Sequence, residues 1–164
     1  MGAAPLEGFQ ELVARLDYPM VVVTVPARPH HQGCLVGFHT QTSIDPARLL
    51  VCLSRANATT RAAQDASHVG VHVLGHDQRE LARLFGTESG DWTDKLAHAP
   101  WREGPHGVPL LDGCSGWLVG HVESRHDLGD HIGLLLSPVA AESVDDRPLV
   151  TFQQVKDLEA GHPA

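Results

Sequence analysis

Residues 20–25 read Met-Val-Val-Val-Thr-Val, a β-branched run held between Pro19 and Pro26. β-Branched side chains are stiff at χ1 and fit a pleated surface better than a helix, so the run is a strand. Its unbroken apolar character makes it a buried strand, and the prolines end it on both sides.

The rest of the chain supplies partners of the same kind. Residues 26–32, with two prolines and His30-His31, form a loop and the natural hairpin tip. Residues 33–40 and 49–53 read as strands separated by the polar stretch 41–48. Val69, Val71 and Val73 alternate with Gly70 and His72, the period of a half-buried strand. Residues 117–125 and 131–144 read as strands around the turn Asp127-Leu128-Gly129-Asp130. Helices are short. Leu6, Phe9, Leu12, Val13 and Leu16 share one face of an amphipathic helix over 6–17. Asn57 is an N-cap for 58–66, and Asp77-Gln78-Arg79-Glu80 resembles a capping box ahead of Leu81, Leu84 and Phe85. Residues 87–109 are irregular, and the tail 154–164 is polar.

About six strands and three short helices, with no regular βα alternation, disfavour a doubly wound parallel sheet. The expectation is a single domain over 1–164, mainly β: a closed antiparallel barrel with short helices, since closure removes exposed edges.

Charge narrows the function. Twelve Lys and Arg stand against 20 Asp and Glu, a formal net charge of -8, and no basic face is visible, so no nucleic-acid partner is expected. No segment approaches the roughly 20 apolar residues of a membrane span, and the first residues resemble no secretory signal; the expected location is cytoplasmic, away from membranes. Cys34, Cys52 and Cys114 are few, distant and set among small or apolar neighbours, as buried free thiols are. His68, His72 and His76 have helical spacing, but the valines between them indicate a strand, and no metal site is expected. No G-x-S-x-G elbow, P-loop or post-strand G-x-G-x-x-G occurs.

Three polar groups are candidates for chemistry. Thr40-Gln41-Thr42-Ser43 follows a strand and offers hydroxyls, an amide and main-chain N–H groups to a polar ligand, or makes an ordinary connection. Ser54-Arg55-Ala56-Asn57-Ala58-Thr59-Thr60 runs from a strand into a helix. There Arg55 and the unpaired N–H groups suit a phosphate, while simple capping by Asn57 explains the same residues. Gly129-Asp130-His131 heads a strand, where the turn places His131 at a barrel mouth or in a structural role.

From about Met20 to Phe152 the chain resembles the flavin reductase-like, FMN-binding split-barrel family. The likeness rests on residues 33–46 (Gly-Cys-Leu-Val-Gly-Phe-His-Thr-Gln-Thr-Ser-Ile-Asp-Pro) and residues 50–59, then Val71-His72-Val73-Leu74, residues 78–85, residues 109–113 and Gly129-Asp130-His131, in that order. The resemblance implies a six-stranded antiparallel Greek-key barrel that dimerises, with FMN at the subunit interface and NADH or NADPH as electron donor. It implies that Thr40, Gln41, Thr42 and Ser43 contact the ring and ribityl chain, and that Ser54, Arg55, Asn57 and Thr59 hold the phosphate. His131 would lie on the nicotinamide side. The flavin carries the chemistry, so no side-chain nucleophile is required; a monooxygenase or other electron-acceptor protein is the implied partner. Two departures stand out: the 38–45 segment is about four residues shorter than in typical two-component reductases, and position 72 is His where the family often has Asn. The rival readings are a flavin- or haem-binding module without turnover and a deazaflavin-dependent split-barrel reductase, for which Arg55 and Lys95 are the obvious basic groups.

Overall fold

The computed structural model describes residues 3–158. Nine strands lie among them: β1 Val21–Val25, β2 Gln32–Val36, β3 His39–Ser43, β4 Arg48–Ser54, β5 His68–Val73, β6 Trp101–Glu103, β7 Pro109–Leu111, β8 Gly116–Asp127 and β9 His131–Ser143. The helices are α1 Ala3–Val13, α2 Ala58–Ala63, α3 Arg79–Thr87 and α4 Phe152–Val155. Seven strands form one antiparallel sheet in the order β2-β1-β5-β8-β9-β4-β3, and β6 and β7 make a separate ribbon. The sheet curls until β2 and β4 touch. Val21, Val23, Val25, Cys34, Val36, Val51, Leu53, Val69, Val71, Val122, Leu134 and Leu136 fill the space inside.

The β-branched run explains this architecture. With period two, Val21, Val23 and Val25 point into the space inside the curled sheet. Met20 and Val22 point outward, where Phe85 of α3 and Val155 of α4 cover them. Each fully buried Val or Leu side chain contributes roughly 1.5–3 kcal/mol. Thr24, also outward, is buried and donates its hydroxyl hydrogen to Pro109 O at 2.7 Å, so its polar atom is satisfied. Close packing sets the position of α3: a Cβ on Gly33 would lie 2.7 Å from the Phe85 ring.

His72 joins three elements. It is fully buried on β5, and its Nδ1–H donates to Val22 O of β1 at 3.0 Å. Its Nε2 accepts the Leu111 N–H of β7 at 3.1 Å. Only a neutral imidazole donates from one nitrogen and accepts at the other, and burial pushes its pKa down to about 4.

Several sequence expectations need correction. The sheet has seven strands where six were expected. The expected single strand over 33–40 breaks after Val36, and the first residues of the supposed polar connection, 41–43, belong to β3, hydrogen-bonded to β4 at the sheet's edge, while 44–47 form the turn. Polar, β-tolerant residues with one face in water read as loop because the apolar alternation is missing. The capping box at 77–80 does not form: Gln78 is the N-cap and makes no cap bond, its Oε1 accepting the Gly75 N–H instead, while Asp77 pairs with Arg147. α1 ends at Val13, and its apolar face at Leu6, Phe9 and Leu12 is exposed. The irregular 87–109 segment holds the first strand of the small β6–β7 ribbon. Cys34 and Cys114 are buried, but Cys52 is only partly so. Residues 154–158 pack as the end of α4 and the turn after it, with Val155 buried; the rest of the expected tail, 159–164, lies outside the described residues. No described helix is long and apolar enough to cross a membrane.

Candidate functional site

A cavity of about 290 Å³ opens on the outer face of β2 and β4, between α3 and α4. Its floor is apolar, with Tyr18, Met20, Leu35 and Phe152, and its rim carries Ser54, Asn57, His131, Glu88 and Lys156. Tyr18 and Phe152 stack with centroids 5.0 Å apart. Phe38, more than half exposed just before β3, leans on the His131 ring at 4.9 Å. The outcome is an aromatic wall with polar groups at one end.

The polar end is built where β4 runs into α2. Asn57 takes an extended conformation, and its Oδ1 accepts the Thr59 N–H at 2.9 Å. Ser54 Oγ accepts the Ala56 N–H at 3.3 Å, and the Thr60 hydroxyl donates to Ser54 O. These bonds fix the bend and hold Ser54 and Asn57 at the cavity rim. Thr59, in the first turn of α2, is fully buried and is not among the cavity-lining residues.

Arg55 points along the rim to the β8–β9 turn. Its N–H donates to Asp130 O at 2.9 Å, its Nε to Gly129 O at 2.7 Å, and its Nη2 meets Asp127 Oδ1 at 2.7 Å. Gly129 has φ +110°, a conformation that glycine alone adopts cheaply, and this bends the turn. The next residues are Asp130 and His131; the His131 Nδ1–H donates to Asp130 Oδ1 at 2.7 Å, holding that carboxyl below the usual range.

The cavity therefore gathers Ser54, Asn57 and His131, with Arg55 beside them. Thr40, Gln41, Thr42 and Ser43 stand apart on β3. The first three are exposed, and the last three border a separate shallow hollow with Ile44 and Asp45.

The family model described as flavin reductase like domain matches residues 13–157. The chain belongs to the flavin reductase-like family. Relatives agree. The chain is 30% identical over 120 residues to the reductase component of a flavin-dependent trigonelline monooxygenase from Acinetobacter baylyi, covering 71% of this chain and 38% of that one. It is 28% identical over 135 residues to the reductase component of 4-hydroxyphenylacetate 3-monooxygenase from Klebsiella oxytoca, covering 78% and 76%. Its fold matches a flavin reductase domain protein from Arthrobacter sp. FB24 with a TM-score of 0.82 at 23% identity, over 97% and 96% of the two chains. The chain thus spans well under half of the first relative and about three quarters of the second.

For a flavin reductase-like oxidoreductase domain, the thiols at the cavity are informative. Burial pushes the Cys34 thiol up to about 11, and it raises Cys52 as well. Neither is a ready thiolate nucleophile. Lys95, a basic candidate in the sequence, is buried and turned inward, donating to Gly33 O at 2.9 Å and Phe85 O at 3.3 Å. Among the described residues, no group of three or more His, Cys, Asp or Glu is placed to hold a metal ion. Sequence reasoning missed Tyr18, Phe38, Phe152 and Lys156 as cavity residues. Tyr18 and Phe152 come from opposite ends of the chain, joined by the bridge Pro19↔Thr151 and by the Phe152 N–H donating to Tyr18 O at 2.9 Å.

Proposed function

We propose that this domain binds FMN in the cavity beside β2 and β4 and passes hydride to it from NADH or NADPH. Bound there, the flavin supplies the hydride acceptor. The residues fit such a group. The floor of Tyr18, Leu35 and Phe152 gives an apolar bed for a ring system. Ser54 and Asn57, with Arg55 alongside, offer neutral and charged donors for a ribityl phosphate. His131, the register partner of Ser54 across β4 and β9, stands at the same end with Phe38 against its ring, where the two orient the nicotinamide and exclude water. The juxtaposition of Phe38 and His131 over this bed carries the reading. A deazaflavin cofactor suits the site less, because the inward-turned Lys95 is withdrawn from any phosphate chain.

The domain works as a homodimer with FMN at the interface. A cavity of about 290 Å³ sits at the bottom of the range for small-molecule sites, roughly 300–1,000 Å³. Phe38, Phe9, Leu12 and Leu16 leave apolar surface uncovered, the kind that a second copy closes. In that dimer the Thr40–Ser43 row reaches the flavin. The curled seven-stranded sheet, with β3 on its edge beside β4, takes the split-barrel arrangement of the family. The reduced flavin serves a monooxygenase or another electron acceptor, as the names of the relatives indicate for them, in the cytoplasm.

Steady-state NAD(P)H oxidation by the purified protein tests the reading, with FMN, FAD and riboflavin compared. FMN-dependent turnover is expected. A protein that binds FMN without oxidising either nicotinamide is a binding module, and one that binds no flavin refutes the assignment.

A further inference from the structure

The charged group best suited to the flavin phosphate is already engaged. The Arg55 guanidinium donates to Gly129 O and pairs with Asp127 Oδ1, both at 2.7 Å. The Asp127 carboxylate thus sits where a phosphate oxygen would meet the guanidinium. The Arg55 side chain is 48% exposed and that of Asp127 75%, so water and solute anions reach both. An exposed pair of this kind is weak and exchanges readily.

We propose that Asp127 is an internal competitor for the flavin phosphate, which keeps flavin affinity low and makes FMN an exchanging substrate of this domain. The inference rests on the phosphate reading given above and adds the residue that sets its strength. A phosphate monoester carries more charge than a carboxylate and accepts bidentate bonds from arginine, so it displaces Asp127 when present. The displaced carboxylate stays on the same turn, with Asp130 three residues on, and both repel the incoming anion. Loss of flavin restores the Arg55–Asp127 pair at once. A domain that hands reduced flavin to another component needs such ready release.

Replacing Asp127 by Asn tests this cleanly. Asp127 Oδ1 also accepts the Gly129 N–H at 3.2 Å, and an Asn amide oxygen keeps that bond while the charge is lost. Wild type, Asp127→Asn, Arg55→Ala and the double variant are titrated with FMN and with riboflavin at low and high salt. Asp127→Asn should tighten FMN binding about two- to fivefold and leave riboflavin unchanged. The gain should shrink in high salt and vanish when Arg55 is Ala. An unchanged or reduced preference for FMN in Asp127→Asn, while Arg55→Ala abolishes that preference, overturns the competitor and spares the phosphate site. A gain that survives in Arg55→Ala makes Asp127 a general repulsive charge and also overturns it. If wild type binds riboflavin as tightly as FMN and Arg55→Ala changes neither, the phosphate site and the competitor both fall.

Discussion

Acid should destabilise this fold through one buried side chain, and the size of the effect follows from the geometry of His72. The ring is sealed between Val22 O and the Leu111 N–H and stays neutral, with its pKa pushed down by burial to about 4. In the unfolded chain the same group titrates near 6.5. Between these values the unfolded state binds more protons, so stability rises with pH across the window and falls as acid is added. The His72 contribution is fully present above about pH 6.5 and is lost as pH drops toward 4. From pH 7 to pH 5 the linkage relation makes that loss about 2 kcal/mol, a sizeable part of the roughly 5–15 kcal/mol of a typical domain. The assay is a difference: urea unfolding of wild type and His72→Asn at pH 5, 6, 7 and 8. The variant should be weaker at pH 7 by about 1–3 kcal/mol, because a shorter side chain leaves Val22 O or the Leu111 N–H unpaired. Its further loss on going to pH 5 should be smaller than that of wild type by about 2 kcal/mol. In wild type the His72 ring should stay neutral by NMR down to about pH 4. Equal pH dependence in both proteins, or a His72 resonance titrating near 6.5, refutes the reasoning.

His131→Ala should raise the KM for NAD(P)H or slow flavin reduction while FMN content persists; an unchanged single-turnover reduction rate removes His131 from the nicotinamide side. Light scattering on the flavin-loaded protein should report a dimer, and a monomer of 17.7 kDa that retains FMN sinks the shared site. Gly33→Ala should lower stability by about 1–3 kcal/mol, since the new methyl group meets the Phe85 ring; a melting temperature equal to wild type would mean that α3 shifts freely.

Local chemistry alone determined much of this protein. A β-branched run between prolines must be a strand whatever surrounds it; Val69, Val71 and Val73 mark one packing face of β5 by alternation, but the expected half-buried strand is buried on its other face too, at Gly70 and His72. Asn57 caps α2 as its residue type requires, and Gly129 makes the turn that presents His131. Ordered motifs were enough to indicate the family that the match over residues 13–157 shows. Tertiary structure decided what depends on partners distant in the chain. β3 is a strand only because β4 offers it hydrogen bonds, since its own residues carry no apolar period. The supposed capping box failed because Gln78 found Gly75 and Asp77 found Arg147, 70 residues away. Tyr18 meets Phe152 only where the two ends of the chain come together in the fold, and Lys95 turns inward because two carbonyls are there to receive it. Arg55 reads in sequence as a phosphate donor, yet its guanidinium pairs with Asp127 on the β8–β9 turn, and only the fold shows that pairing. Residue type sets what a side chain can bind; where the chain crosses itself sets what it does bind.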